Sequence, residues 1–226
     1  MKHCKQIISA LLVALPVIYA PNLLASGSDR AFAVTITNIT KGEIFTPIMV
    51  ASHGHRVKLF SEGAPASREL AMLAEGGDTM PLSEKLLDDG ALDVVTTDNV
   101  LPPGESVTVY VRTNSRNGYV SAAAMLVPSN DAFFAVNGVR GPRLHRSKTR
   151  MSPAYDAGSE TNDELCVSIP GPPFICSGEG FNEESGEGYV YIHSGIHGIG
   201  DLPAYTHDWH NPVAKIKIRQ VRHEDD

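Results

Sequence analysis

Three stretches of the chain alternate apolar and polar residues with a period of two. Phe32, Val34 and Ile36 interleave with Ala33, Thr35 and Thr37; Val107, Val109 and Val111 with Thr108, Tyr110 and Arg112; Ala214, Ile216 and Ile218 with Lys215, Lys217 and Arg219. Side chains of an extended strand point alternately to opposite faces, so each stretch predicts a strand with one face buried and the other in water. Less regular strand candidates are 48–51, 56–60, 93–97, 119–127, 133–136 and 188–193, set apart by turn residues such as Asn137-Gly138 and Pro102-Pro103-Gly104. Together they make about nine strands, enough for two stacked antiparallel sheets. The 20 Gly and 15 Pro spread along the chain demand frequent turns, which suits an all-β sandwich. Two short helices interrupt the pattern. Residues 67–75 carry Leu70, Leu73 and Ala74 at helical spacing and stop at Gly76; residues 79–89 carry Leu82, Leu86 and Leu87 before Gly90. Both are expected to cover a sheet, and the absence of a repeat or linker predicts a single domain.

The N-terminus reads as a leader. Lys2 and Lys5 precede an apolar run from Ile7 to Ala25, and Ala25-Ser26-Gly27 offers small residues for cleavage, so residues 1–27 are expected to be a signal peptide and 28–226 the mature domain. Pro16, Pro21 and Asn22 break the run and oppose a spanning helix. Cys4 lies before the apolar run, where no lipid would be attached, so the product is expected to be secreted or periplasmic and soluble. Loss of Lys2 and Lys5 takes the formal charge from −7 to −9. That sign opposes phosphate backbones and argues against nucleic acid as a partner; cations and basic surfaces suit it better. Cys166 and Cys176 remain, flanking Gly171, Pro172 and Pro173, and a disulfide between them is expected in an oxidising compartment. A metal-binding pair is the weaker reading, because neither thiol has the usual close Cys partner.

Two clusters could carry chemistry. Asp156 and Glu160 stand four apart around Gly158, which lets the backbone curl so that both carboxylates face one point, and Asp131 in Ser129-Asn130-Asp131 could close an oxygen cage for Ca²⁺. The pattern is not an EF-hand, and acidic loop residues commonly just form turns. The second cluster is His193, His197, His207, Asp208 and His210. Glycines 195, 198 and 200 oppose a zinc-peptidase helix, which leaves a loop site for Zn²⁺ or Cu²⁺, or histidines that hydrogen-bond loop carbonyls beside a core Trp209. Glu179, Glu183, Glu184 and Glu187 could in principle pair as glycosidase carboxylates, though a solvated loop is the commoner meaning. No nucleophile elbow, P-loop or dinucleotide fingerprint occurs.

Thr35-Ile36-Thr37-Asn38-Ile39-Thr40, Phe45-Thr46-Pro47, Ser61 to Ala66, Leu73-Ala74-Glu75-Gly76-Gly77-Asp78, Asn130-Asp131, Tyr155 to Glu160 and Gly195-Ile196-His197-Gly198-Ile199-Gly200-Asp201 together resemble the bacterial stand-alone form of the spondin N-terminal domain, known from F-spondin and mindin, over most of residues 32–221. The resemblance implies a C2-like antiparallel β-sandwich of the extracellular matrix and of cell adhesion, with one calcium ion in its end loops. It implies Asp131, Asp156 and Glu160 as the ligands, the last standing where the family carries Asp. Thrombospondin-type repeats and a reeler-like module are missing here, so roles that depend on those neighbours do not transfer. With no Lys/Arg-rich patch beside the acidic loops, strong membrane docking is not expected. The implied role is a non-catalytic, calcium-binding module for an extracellular protein or glycan. The alternative from the histidines is an exported zinc-dependent hydrolase using His193, His197, His207 and Asp208.

Overall fold

In a computed structural model, which describes residues 30–143, 146–183 and 186–222, the three alternating stretches become strands of one sheet. In chain order the elements are β1 (Arg30–Asn38), β2 (Ile44–Phe45), β3 (Met49–His53), α1 (Arg68–Gly76), α2 (Met80–Asp88), β4 (Asp93–Thr96), β5 (Ser106–Thr113), β6 (Tyr119–Val127), β7 (Ala132–Arg140), β8 (Ser147–Ser152), β9 (Ala154–Asp156), β10 (Tyr191–Ile192), α3 (Ala204–His207) and β11 (Ala214–Arg222). They form two antiparallel sheets, β5-β1-β11-β8 and β10-β9-β7-β6-β3-β4, with β2 paired to β6. The expected leader over 1–27 lies outside the described residues. Among those described, no helix is long and apolar enough to cross a membrane.

The smaller sheet keeps the predicted alternation. Val34 lies opposite both Val109 and Ile218, and Ile36 opposite both Val107 and Ile216, so the apolar rows of three strands form one buried surface. Between the sheets they meet Phe45, Val50, Ala122, Ala124, Phe134 and Trp209. The larger sheet is buried on its other face too, which explains why β6 shows no alternation: from Val120 on, every residue is buried. There α1 and α2 set Leu70, Leu73, Leu82 and Leu86 against Met49, Ala51, Ala123 and Phe133 in a second core. The run Ala122-Ala123-Ala124 keeps both faces of β6 thin and lets a layer pack closely on each side.

Local chemistry sets the helix ends close to where the sequence places them. Ser67 caps α1, its Oγ accepting from Leu70 N at 3.3 Å, and Gly77 ends it in the left-handed region at φ 67°. Three strand expectations need correction. Residues 56–60 form no strand; Asn137 holds them by accepting from Leu59 N and donating to Phe60 O, both at 2.8 Å. Asn137-Gly138 lies within β7, at a bulge opposite Ser121, between the Val120–Val139 and Ala122–Val136 pairs, and does not end the strand. Of 188–193, only Tyr191–Ile192 pairs. The Cys166–Cys176 disulfide is formed as expected.

Candidate metal centre

Asp131 stands immediately before β7 and Asp156 ends β9, which pairs with β7 so that Asp156 lies opposite Ala132. Strand pairing thus brings two carboxylates from distant parts of the chain to one tip of the sandwich. Gly158 then turns the chain sharply. Its φ is +65°, and a Cβ there would lie 2.3 Å from Tyr189 O, so only glycine fits. The curl aims the backbone N–H groups of Ser159 and Glu160 at Asp131 Oδ2, at 2.9 and 3.2 Å. Asp131 Oδ1 is buried and has no hydrogen-bond partner. Asp156 Oδ1 accepts from Gly158 N and Oδ2 from Asn162 Nδ2, both at 2.7 Å.

The three expected ligands are buried, Asp131 and Asp156 completely and Glu160 to within 3%. Burial, the Asp156 carboxylate and more weakly Glu160 push the Asp131 carboxyl well above the usual range, against the Ser159 and Glu160 N–H groups. Burial also raises Asp156, opposed by hydrogen bonds from Asn162 and Tyr191. None of the ion pairs among the described residues brings a Lys or Arg to either aspartate. The nearest cationisable group, His193 Nε2, is 3.7 Å from Asp156 Oδ2. Burial, with the His197 charge, lowers the His193 pKa to about 4, so the imidazole is neutral near pH 7 and offers no compensating charge. Two adjacent buried carboxyls with raised pKa values, to which the described residues bring no Lys or Arg, are an oxygen donor set that suits a hard cation. Even so, no three His, Cys, Asp or Glu side chains among the described residues converge as a ready-made metal cage. The two aspartates are the closely interacting pair, and Glu160 acts on Asp131 only as a weaker like charge.

The histidines do not gather. His193 accepts from Gly195 N through Nδ1 at 3.0 Å, which leaves Nε2 to donate to Asn162 Oδ1 at 3.1 Å, and its ring packs 5.0 Å from Trp209. His207 Nδ1 sits 3.1 Å from Glu43, at a separate buried pair. His197 and His210 are exposed, as are Glu179, Glu183 and Glu187 of the acidic stretch. Trp209 is core, as expected.

Sequence reasoning missed the residues that brace this tip. Asn162, Tyr191 and His193 surround Asp156. Glu164 is buried, accepts His197 N at 2.6 Å and Ile199 N at 2.9 Å, and so pins the glycine-rich 195–200 loop; its own N–H donates to Asn130 Oδ1. Glu75 of α1 is buried beside a cleft of about 380 Å³ that also exposes Gly158 and Ser159. A glutamate in a turn-rich segment gives no sign of such a role, because its partners are backbone N–H groups 33 and 35 residues away.

The Spondin_N family model matches residues 28–160, more than half of the chain. No curated protein matches it. The matched segment ends at Glu160, short of the span suggested by the sequence motifs, and leaves out the disulfide loop and β11.

Proposed function

Starting from the fact that this chain belongs to the spondin N-terminal domain family, we propose that it is an exported, calcium-stabilised β-sandwich that works without catalysis, presenting fixed loops to an extracellular protein or glycan. The observation that carries this reading is the buried Asp131–Asp156 pair, to which the described residues bring no Lys or Arg and no donor for Asp131 Oδ1. Asp131, Asp156 and Glu160 would hold the ion, which supplies positive charge where two like charges otherwise repel. The N–H groups of Ser159 and Glu160 keep Asp131 oriented, while Asn162 and Tyr191 hold Asp156. Glu164 and Asn130 carry the same order into the 195–200 loop, so the ion's role is to set loop shape. The disulfide agrees with an oxidising destination.

Melting the purified protein with excess Ca²⁺ and with chelator tests the site. Ca²⁺ at a hundredfold excess over Kd adds about 2.7 kcal/mol, or roughly 5–10 °C for a domain of this size. Asp131→Asn should remove that gain and, because it replaces a carboxyl whose ionisation is opposed by burial and by Asp156, raise the melting temperature in chelator. Equal melting with and without Ca²⁺ sinks the assignment.

A further inference from the structure

The two sheets differ sharply in charge. The four strands β5, β1, β11 and β8 contain no Asp or Glu, although the whole chain has 26 acidic against 19 basic residues. Lys215, Lys217 and Arg219 are exposed at alternate positions of β11 and so share the outer face, spaced about 6.8 Å apart along the strand. None of the three has an ion pair among the described residues. Arg30 lies directly opposite Arg222 at the end of the same sheet, but on the alternate face from this row.

The neighbouring rows on that face are hydroxyls. Thr37 lies opposite Lys215 and Thr35 opposite Lys217, and they bond in turn to Ser106 and Thr108 of β5 at 2.7 and 2.8 Å. On the other side Thr149 pairs with Lys217 and Ser147 with Arg219. A face whose central cationic row is flanked by hydroxyls on both sides, with Ala33 opposite Arg219 and Met151 opposite Lys215, matches a polymer that itself alternates hydroxyls with anionic groups. Its large apolar groups are Tyr110 and Met151, on opposite edge strands, with no apolar wedge for a bilayer and no protruding element for a nucleic-acid groove.

We propose that the outer face of the β5-β1-β11-β8 sheet binds a linear anionic polysaccharide through Lys215, Lys217 and Arg219, with the Thr and Ser rows contacting its hydroxyls. This goes beyond the calcium role and does not depend on it, so binding is measured in chelator and survives failure of the metal assignment. The probes are dextran sulfate and uncharged dextran of equal length, titrated into the purified protein. Dextran sulfate is expected to bind and uncharged dextran not to. Lys215→Thr/Lys217→Thr/Arg219→Thr, which keeps strand propensity, should weaken binding at least tenfold at an unchanged melting temperature. It should also flatten the log–log salt dependence by about two to three. A control with Arg56, Lys85 and Arg116 changed to Gln removes the same charge elsewhere and should stay within about twofold of wild type. Equal loss in both variants would reduce the effect to net charge and overturn the proposal. So would the absence of binding to dextran sulfate, or equally tight capture of duplex DNA or phosphatidylserine vesicles through the same three residues.

Discussion

Glu43 is fully buried, bonded through Oε1 to His207 and unpartnered at Oε2, and burial raises its pKa to about 7. Between its ordinary value of 4.5 and that value the folded state holds a proton that the unfolded chain has released. Stability from this group is therefore complete below pH 4.5 and is lost as pH rises through about 7, by up to ~1.4 kcal/mol per pH unit. Glu43→Gln should flatten that slope in urea titrations at pH 5 and pH 7; an unchanged slope would place the pH dependence elsewhere. Legibility at this scale was uneven. Asp156, Glu160 and the curl at Gly158 were suggested by their spacing, while Asp131, far along the chain, was tied to them chiefly by the family resemblance. Glu43, Glu75 and Glu164 were not suggested, because a buried glutamate looks like a solvated one until its partners from other loops are in place.

Among the elements, α2 lends itself to a clean test because it packs on the outer face of the larger sheet and contributes no residue to the acidic tip. Leu82 is buried against that face, and Leu82→Ala should cost about 2–5 kcal/mol in denaturant unfolding while the calcium-dependent increment stays as in wild type. If the increment falls as well, the helical cover and the tip are coupled more tightly than their packing implies. Strands with one wet face were readable from alternation, and helices from leucines at helical spacing and terminal glycines. The edge strand β8 was not, because Ser147-Lys148-Thr149-Arg150-Met151-Ser152 buries little and so carries no apolar period. Residues 56–60 misled in the opposite sense, with strand-like composition held by one asparagine side chain in place of a ladder.

At the scale of the whole molecule, the long connection between β9 and β10 contains no helix or strand among its described residues and is held instead by the Cys166–Cys176 bond and by side-chain carboxylates. Replacing both cysteines by alanine should lower unfolding free energy by roughly 2–3 kcal/mol in guanidinium titrations, with the two sheets still formed by circular dichroism. A larger loss would mean that this connection, outside the family match, helps define the fold itself. The segregation of charge between the sheets has a further effect that net charge conceals. A sheet that carries eight Lys and Arg and no Asp or Glu in an otherwise acidic chain gives the molecule an uneven charge distribution, so the field of a highly charged wall exerts a torque on it before any contact. An acidic protein of this kind would approach an equally acidic surface already turned, with its cationic side leading.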